Sequence, residues 1–197
     1  MPILLLQLAM VAVTMVLFLL TLALNDWLFA SFELVPGINW IYLPAGMRLL
    51  CTLLFKEAGA IGLLLVSWLV SFLYFFPNDP VRAFMGGILA TAAPYLAYLY
   101  AQRAFGLEAS LANLSPRRLL ACVVLYAVAS PVLHHIWFAI YGPADGLWRG
   151  LAAMIAGDLL GSLIVIYTGK MLLALIPGKI ATNSGDGGGQ PGARSGD

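Results

Sequence analysis

The chain has 197 residues, of which 62% are hydrophobic and only 10% are charged, and its net charge is +1 at pH 7. A soluble domain carries about 25% charged residues, so this chain has too little polar sequence to cover a core in water. The composition argues against a soluble catalytic domain, and the small net charge without any basic run argues against nucleic-acid binding. The sequence predicts an all-α, polytopic membrane protein.

Six transmembrane helices are predicted along the chain, because a bilayer core of about 30 Å takes about 20 helical residues to cross. Charged or Pro-containing breakers separate several of the apolar runs, among them Lys56-Glu57 and the stretch that begins at Pro77. Residues 1–177 are the predicted transmembrane domain, and the Gly-rich residues 178–197 are predicted to be a disordered tail. The six predicted spans are residues 3–24, 38–55, 58–76, 81–102, 119–141 and 151–176.

The distribution of Lys and Arg predicts the orientation, since cytoplasmic loops carry an excess of both. Six spans place the connections alternately on two sides, and one side is clearly more basic. That side is predicted to be the cytoplasm of a bacterial inner membrane, with both termini on it. The basic side holds Lys56, Arg103, Arg117, Arg118 and Lys179, whereas the other side holds only Arg82 and Arg149.

Arg48 and Asp158 are the two charged residues predicted to lie well inside spans. Each would cost about 2.5–3.5 kcal/mol at a helix centre on insertion scales. Counted from the predicted span ends at 1.5 Å per residue, Arg48 lies roughly 16 Å and Asp158 roughly 12 Å from the outer surface. An ion pair would lower the cost of both charges. We therefore expect these two side chains to meet in the outer half of the membrane.

His134 and His135 are predicted at a similar level, roughly 10 Å from the outer end of the fifth span. Adjacent helical residues point about 100° apart, so at most one imidazole is expected to face the same interior spot. Two interpretations stay open for this pair. The histidines form a polar pocket with Arg48 and Asp158, or they only hydrogen-bond neighbouring helices.

Trp40 belongs to a group of aromatic residues near the outer ends of the predicted spans. An interfacial aromatic belt is the ordinary interpretation, and the mouth of a ligand site is the alternative. Small residues at Gly157 and Gly161 lie four positions apart on the sixth span, which permits close helix packing. The rest of the aromatic group is Trp27, Tyr42, Trp137, Tyr141 and Trp148.

Signatures of catalysis are missing from the sequence. It has no His-Glu-x-x-His, no Gly-x-Ser-x-Gly, no phosphate loop and no cysteine-rich metal motif. Cys51 and Cys122 lie inside apolar runs and are expected to be small buried residues instead of a disulfide or a redox pair. The sequence therefore predicts that the protein is not an enzyme and holds no cofactor or metal.

Two stretches together resemble MASE1 domains, which are integral membrane sensor modules of bacteria. The segment at 39–46, Asn-Trp-Ile-Tyr-Leu-Pro-Ala-Gly, resembles the early Trp-Pro-x-x-Gly element, although Trp40 and Pro44 are separated by three residues instead of adjacent. The segment at 157–165, Gly-Asp-Leu-Leu-Gly-Ser-Leu-Ile-Val, resembles the late Gly-Asp-x-x-Gly-x-Leu-x-Val element. The similarity covers about residues 5–176, and no output domain follows it.

The resemblance implies a stand-alone sensor or accessory module that takes part in signal transduction. Such a module would bind a small ligand or a membrane partner and pass the signal to a separate kinase or cyclase. The alternative is a small-molecule transport protein or a substrate-binding transporter subunit, since prolines and buried charges within spans suit both functions. A structural role in a membrane complex also stays open. Membrane lipid is the expected surrounding, and nucleic acid is not an expected partner.

Overall fold

The computed structural model describes residues 2–35, 38–106, 115–141 and 146–175. Helices dominate this part of the chain, so the all-α prediction is confirmed. The predicted tail, residues 178–197, lies outside the described residues. The elements are α1 (Pro2–Phe29), a 3-10 turn (Ala30–Phe32), β1 (Glu33–Val35), β2 (Ile38–Asn39), α2 (Leu43–Val70), a π-helical turn (Ser71–Phe75), α3 (Pro80–Phe105), α4 (Pro116–Tyr141) and α5 (Leu147–Leu175).

Five helices in the described part of the chain are long and apolar enough to cross a membrane. Many of their large apolar side chains point outward, and on α1 these include Ile3, Leu5 and Leu20, each more than half exposed. Outward apolar side chains are stable only in lipid, because the bilayer replaces water as the solvent of this surface. The protein is therefore a membrane protein with a multi-helix bundle.

Six spans were predicted, and the count differs because the second and third predicted spans are one helical element, α2. Lys56 interrupts this element with φ 54° and ψ −126°, a backbone conformation outside the helical region. A Cβ placed on Gly59 would overlap the carbonyl oxygen of Cys51, which a continuous helix would hold well away from it. The chain therefore turns sharply at Lys56.

The two limbs of α2 on either side of Lys56 lie side by side. Arg48 of the first limb and Val70 of the second line the same cavity. In a continuous helix these two residues would be about 33 Å apart at 1.5 Å per residue. The limbs thus form a helical hairpin, and the chain changes direction between predicted spans two and three, as the sequence indicated.

The predicted start of the second span at residue 38 is wrong, because α2 begins at Leu43. Ile38 and Asn39 instead form a short antiparallel pair with Glu33 and Val35. Pro44 then starts the helix, since its fixed φ suits a first turn and its missing N–H is not needed there. The residues before the helix are extended.

This extended segment packs directly on α5. The backbone N–H of Tyr42 donates to the carbonyl oxygen of Gly157 at 3.2 Å. A Cβ on Gly157 would overlap the carbonyl oxygen of Asn39, and one on Gly161 would overlap that of Tyr42. The two glycines permit this backbone approach, so the small-residue face predicted for the last span contacts a neighbour within the chain.

The hairpin of α2 forms the centre of the bundle. It contacts α1, α3 and α5, while α4 closes the other side by packing on α3 and α5. Pro94 and Pro131 lie inside α3 and α4, which continue through them. The first limb of α2 is therefore enclosed by other helices, and this enclosure places Arg48 in the interior.

Candidate functional site

Arg48 lies in the first limb of α2 and is only 7% exposed. Its guanidinium carbon is 5.0 Å from the centre of the Phe18 ring and 5.4 Å from that of the Tyr42 ring. Aromatic rings attract a guanidinium through their π faces and leave its in-plane N–H groups free to donate. The Nε atom of Arg48 is buried and has no hydrogen-bond partner among the described residues.

Asp158 faces the same interior from α5 and is 1% exposed. Its carboxylate lies beside Ser130 of α4 and attracts the Arg48 guanidinium electrostatically. No salt bridge joins the two charges within the described ranges, and Oδ2 of Asp158 is buried without a hydrogen-bond partner there. The structure brings these two predicted residues into one site, and the contact between them is not direct.

Unsatisfied polar atoms concentrate around these two charges. Buried polar groups nearly always find a hydrogen-bond partner, so such a concentration calls for water or a ligand. Tyr126 lies in electrostatic range of both Arg48 and Asp158. In the part of the chain that the structure describes, the residues with a buried side-chain N or O atom that lacks a partner are Arg48, Ser67, Arg82, Tyr126, Ser130, Asp158 and Ser162.

A cavity opens beside Arg48, between both limbs of α2 and helices α1, α3, α4 and α5. Its volume is about 60 Å³, well above the roughly 10–15 Å³ that a single water needs, so it has room for several waters or a small ligand group. The polar side chains in its wall are Tyr42, Arg48, Ser67, Ser71, Arg82, His134 and Trp137, and the aromatic ones include Phe18, Phe75, Phe76 and Phe138.

His134 is the predicted histidine that lines the cavity. Its Nδ1 lies 2.8 Å from the carbonyl oxygen of Ser130. A carbonyl oxygen only accepts, so Nδ1 donates and a neutral ring keeps Nε2 as an acceptor. His134 also lies in electrostatic range of Arg48. One imidazole therefore reaches the polar interior, as expected from the helical angle.

His135 is equally buried but does not line the cavity. Its Nδ1 lies 2.9 Å from the carbonyl oxygen of Pro131. A Cβ on Gly150 would be 3.1 Å from Nε2 of His135, so this ring points towards the start of α5. His135 therefore packs between helices. Of the two interpretations left open for the histidines, packing against neighbouring helices applies to His135.

Trp40 is 38% exposed and is not part of the cavity wall. Its backbone N–H donates to the carbonyl oxygen of Phe32 at 3.0 Å, within the turn that precedes α2. The structure thus places Trp40 in the turn before α2, outside the cavity wall. The interfacial interpretation suits this position better than a role inside the site.

Arg82, Ser67 and Ser71 line the cavity and were missing from the predicted site. Arg82 lies in the first turn of α3, which begins at Pro80. Its guanidinium carbon lies 4.4 Å from the centre of the Phe76 ring and 5.4 Å from that of the Phe138 ring. Sequence position assigned this arginine to an outer loop, where a solvated side chain is the usual expectation. The aromatic run at 75–76 just before it was the available signal for a stacked, inward side chain.

The described residues contain no group of three or more His, Cys, Asp or Glu side chains that would hold a metal ion. Cys51 and Cys122 are buried free thiols. No protein-family profile, no curated protein and no solved structure matches this chain. The geometry of the cavity is therefore the basis for a functional assignment, and the resemblance to MASE1 domains stays a prediction.

Proposed function

We propose that the protein is a membrane sensor or accessory module that holds a small ligand in the cavity beside Arg48. The observation that carries the proposal is the buried guanidinium, which lines a cavity and keeps an unpartnered donor. A buried charge without a full set of partners is costly, so the folded chain gains stability when a ligand supplies the missing acceptor.

The location of the cavity also suits signalling. All five long helices contribute to its wall, with α2 at the centre. A ligand that contacts several helices shifts their relative positions if it binds one arrangement better than another. The altered outer surface of the bundle would pass the signal to a separate kinase or cyclase. The MASE1-like segments at 39–46 and 157–165 support this proposal, and they contact each other through Asn39 and Gly157.

The proposed location is a bacterial inner membrane with both termini in the cytoplasm. The hairpin of α2 supports this topology, because the turn at Lys56 reverses the chain between two limbs. Tyr98 of α3 donates to Oε1 of Glu57 at 3.3 Å, beside that turn. At the opposite end Tyr74 donates to Oδ2 of Asp26 at 3.1 Å. The turn thus lies at the same end of the bundle as Arg103, which follows Tyr98 on α3.

Transport of a small molecule is the second candidate. The non-helical residues 38–42, which precede α2 and contact Gly157 of α5, favour it. Transporters bind substrates where irregular backbone lies beside helices within the bundle.

A ligand screen on the full chain in lipid nanodiscs tests the proposal. Small metabolites that raise the thermal midpoint of the wild type should have no effect on Gly86→Leu. This variant places a side chain in the cavity, where a Cβ meets nothing closer than 3.7 Å. Gly169→Leu is the matched control, because a Cβ there meets no atom within 4 Å. If no compound distinguishes the two variants, the proposal is wrong.

Uptake of a labelled hit into proteoliposomes then separates the two candidates. A sensor should bind the compound at equilibrium without accumulating it inside the vesicles. Protein-dependent uptake that Gly86→Leu removes would establish transport instead.

A further inference from the structure

We infer that the cavity beside Arg48 binds a carboxylate, with Arg48 and Arg82 as its two cationic ligands. This inference rests on the proposed function and specifies the chemistry of its ligand. Both arginines line the cavity, and each keeps a buried Nε without a partner among the described residues.

The charges in and around the cavity favour a single negative charge. The wall contains two guanidinium groups and no Asp or Glu side chain. Asp158 lies just behind the wall and attracts Arg48, so it offsets one of the two positive charges. His134 has Nδ1 donating to a carbonyl oxygen and adds no charge as a neutral ring. Asp79, whose Oδ1 accepts from the backbone N–H of Arg82 at 3.0 Å, is exposed and outside the wall. The Arg82 guanidinium therefore has no counter-charge within the wall, and a monoanion complements it.

The shape of the donors favours a carboxylate over a spherical anion. A guanidinium offers planar, parallel N–H groups that match the two oxygens of a carboxylate. Ring contacts with Phe18 and Tyr42 orient the Arg48 plane, and contacts with Phe76 and Phe138 orient that of Arg82. Orientation before binding reduces the side-chain entropy lost when the ligand binds.

The size of the cavity limits the rest of the ligand. A volume of about 60 Å³ holds only a small group of atoms. The rest of the wall is mostly apolar, and it includes Val70, Phe75 and Leu89. A short apolar chain on the carboxylate fits both restrictions. Such a carboxylate is free in water, or it is the head of a fatty acid that enters from the surrounding lipid.

Radiolabelled propionate is a suitable probe, because it has one carboxylate and a two-carbon apolar tail. Binding to the full chain in nanodiscs is measured while chloride is replaced by propionate at constant ionic strength. We expect saturable binding that unlabelled propionate displaces. Propionamide, the neutral analogue of similar shape, should compete at least about tenfold more weakly, since it lacks the charge-assisted hydrogen bonds.

Octanoate separates the two sources of the carboxylate. If the ligand is free in water, octanoate should compete more weakly than propionate, because its tail exceeds the cavity. Stronger competition by octanoate, lost in Gly86→Leu, would identify a fatty acid and would still support carboxylate recognition. Equal competition by propionamide or by chloride would overturn the inference.

Arg82→Gln tests the second cationic ligand without removing the most buried charge. The glutamine keeps a polar side chain at a half-exposed position, so the variant should fold, and propionate affinity should fall about tenfold or more. Arg149→Gln is the matched control on α5, where the side chain is exposed and outside the cavity. Unchanged affinity in Arg82→Gln would contradict the inference.

The ligand screen keeps this inference separate from the proposed function. If a neutral or cationic compound stabilises the wild type and loses its effect in Gly86→Leu, the binding function holds and the carboxylate inference fails. If Gly86→Leu changes neither propionate binding nor the effect of any other compound, the proposed function and the carboxylate inference both fail.

Discussion

The Arg48 guanidinium and the Asp158 carboxylate attract each other inside the bundle, and no salt bridge forms between them in the described part of the chain. Each is more than nine-tenths buried, and each keeps an unpartnered polar atom. The two charges stabilise each other across a distance, without a direct contact between them. Polar neighbours such as Tyr126 contribute as well. This arrangement leaves the Nε–H of Arg48 without a partner among the described residues.

The first prediction is that Arg48 and Asp158 are energetically coupled. Arg48→Met and Asp158→Leu should each destabilise the protein by about 3–5 kcal/mol, because each leaves the opposite charge buried and uncompensated. The double variant should lose less than the sum of the two single losses. Unfolding by SDS in mixed micelles measures the three free energies. Additive losses would show that the two charges act independently.

The second prediction concerns the glycines of α5 that contact the segment before α2. Gly157→Ala and Gly161→Ala should each destabilise the protein by about 1–3 kcal/mol or more. The added methyl would overlap the backbone carbonyl of Asn39 or Tyr42, and that backbone cannot move aside as a side chain does. The same measurement of unfolding in SDS applies.

Gly169→Ala is the control for both variants. A Cβ there meets nothing within 4 Å, and alanine favours a helix over glycine by about 0.8–1.0 kcal/mol, so stability should stay the same or rise. Equal stability of Gly157→Ala and Gly169→Ala would mean that the segment before α2 does not pack on α5.

The third prediction is that the turn between the limbs of α2 reaches the cytoplasmic side. In a chain with Cys51→Ala and Cys122→Ala, Glu57→Cys should react with a membrane-impermeant maleimide in inverted vesicles and not in spheroplasts. Arg103→Cys should behave in the same way, and Asn78→Cys should show the opposite pattern. In a continuous span of 33 residues, Glu57 would lie near the middle of the membrane. Protection of Glu57→Cys from both sides would therefore refute the hairpin.

The fourth prediction concerns Asn25, which is 1% exposed on α1. Its Oδ1 accepts a hydrogen bond of 2.8 Å from the backbone N–H of Leu43, the first residue of α2. Asn25→Leu keeps the size of the side chain and leaves this N–H unsatisfied, so it should destabilise the protein by about 1–3 kcal/mol. Thr21→Val, which removes a hydroxyl bonded only within α1, should cost less. Equal losses would show that the bond to Leu43 contributes nothing specific.

The sequence was sufficient for properties that depend on local composition. Apolar runs identified the membrane class and most helices, and breakers such as Pro77 marked the connections. The charges at Arg48 and Asp158 identified the interior of the site, because a charge within an apolar run needs a polar surrounding.

Other features depend on contacts between distant parts of the chain. The start of α2 at Leu43 depends on two hydrogen bonds to distant elements. Asn25 on α1 accepts from the backbone N–H of Leu43, and Gly157 on α5 accepts from that of Tyr42. Arg82 turns inward because Phe76 and Phe138, from two different elements, stack on it. The positive φ of Lys56 likewise depends on the packing of the two limbs. Only the aromatic run at 75–76, just before Arg82, is a local signal for any of these contacts; the others have none in the sequence.

The packing of the segment before α2 on Gly157 and Gly161 has a consequence for biogenesis. The first limb of α2 is short, carries Arg48, and emerges from the ribosome long before α5 is synthesised. Until the last helix is inserted, Tyr42 lacks its backbone partner and Arg48 lacks Asp158. The limb therefore reaches its final position only after α5 has been inserted, so the cavity is completed after all five helices have been translated.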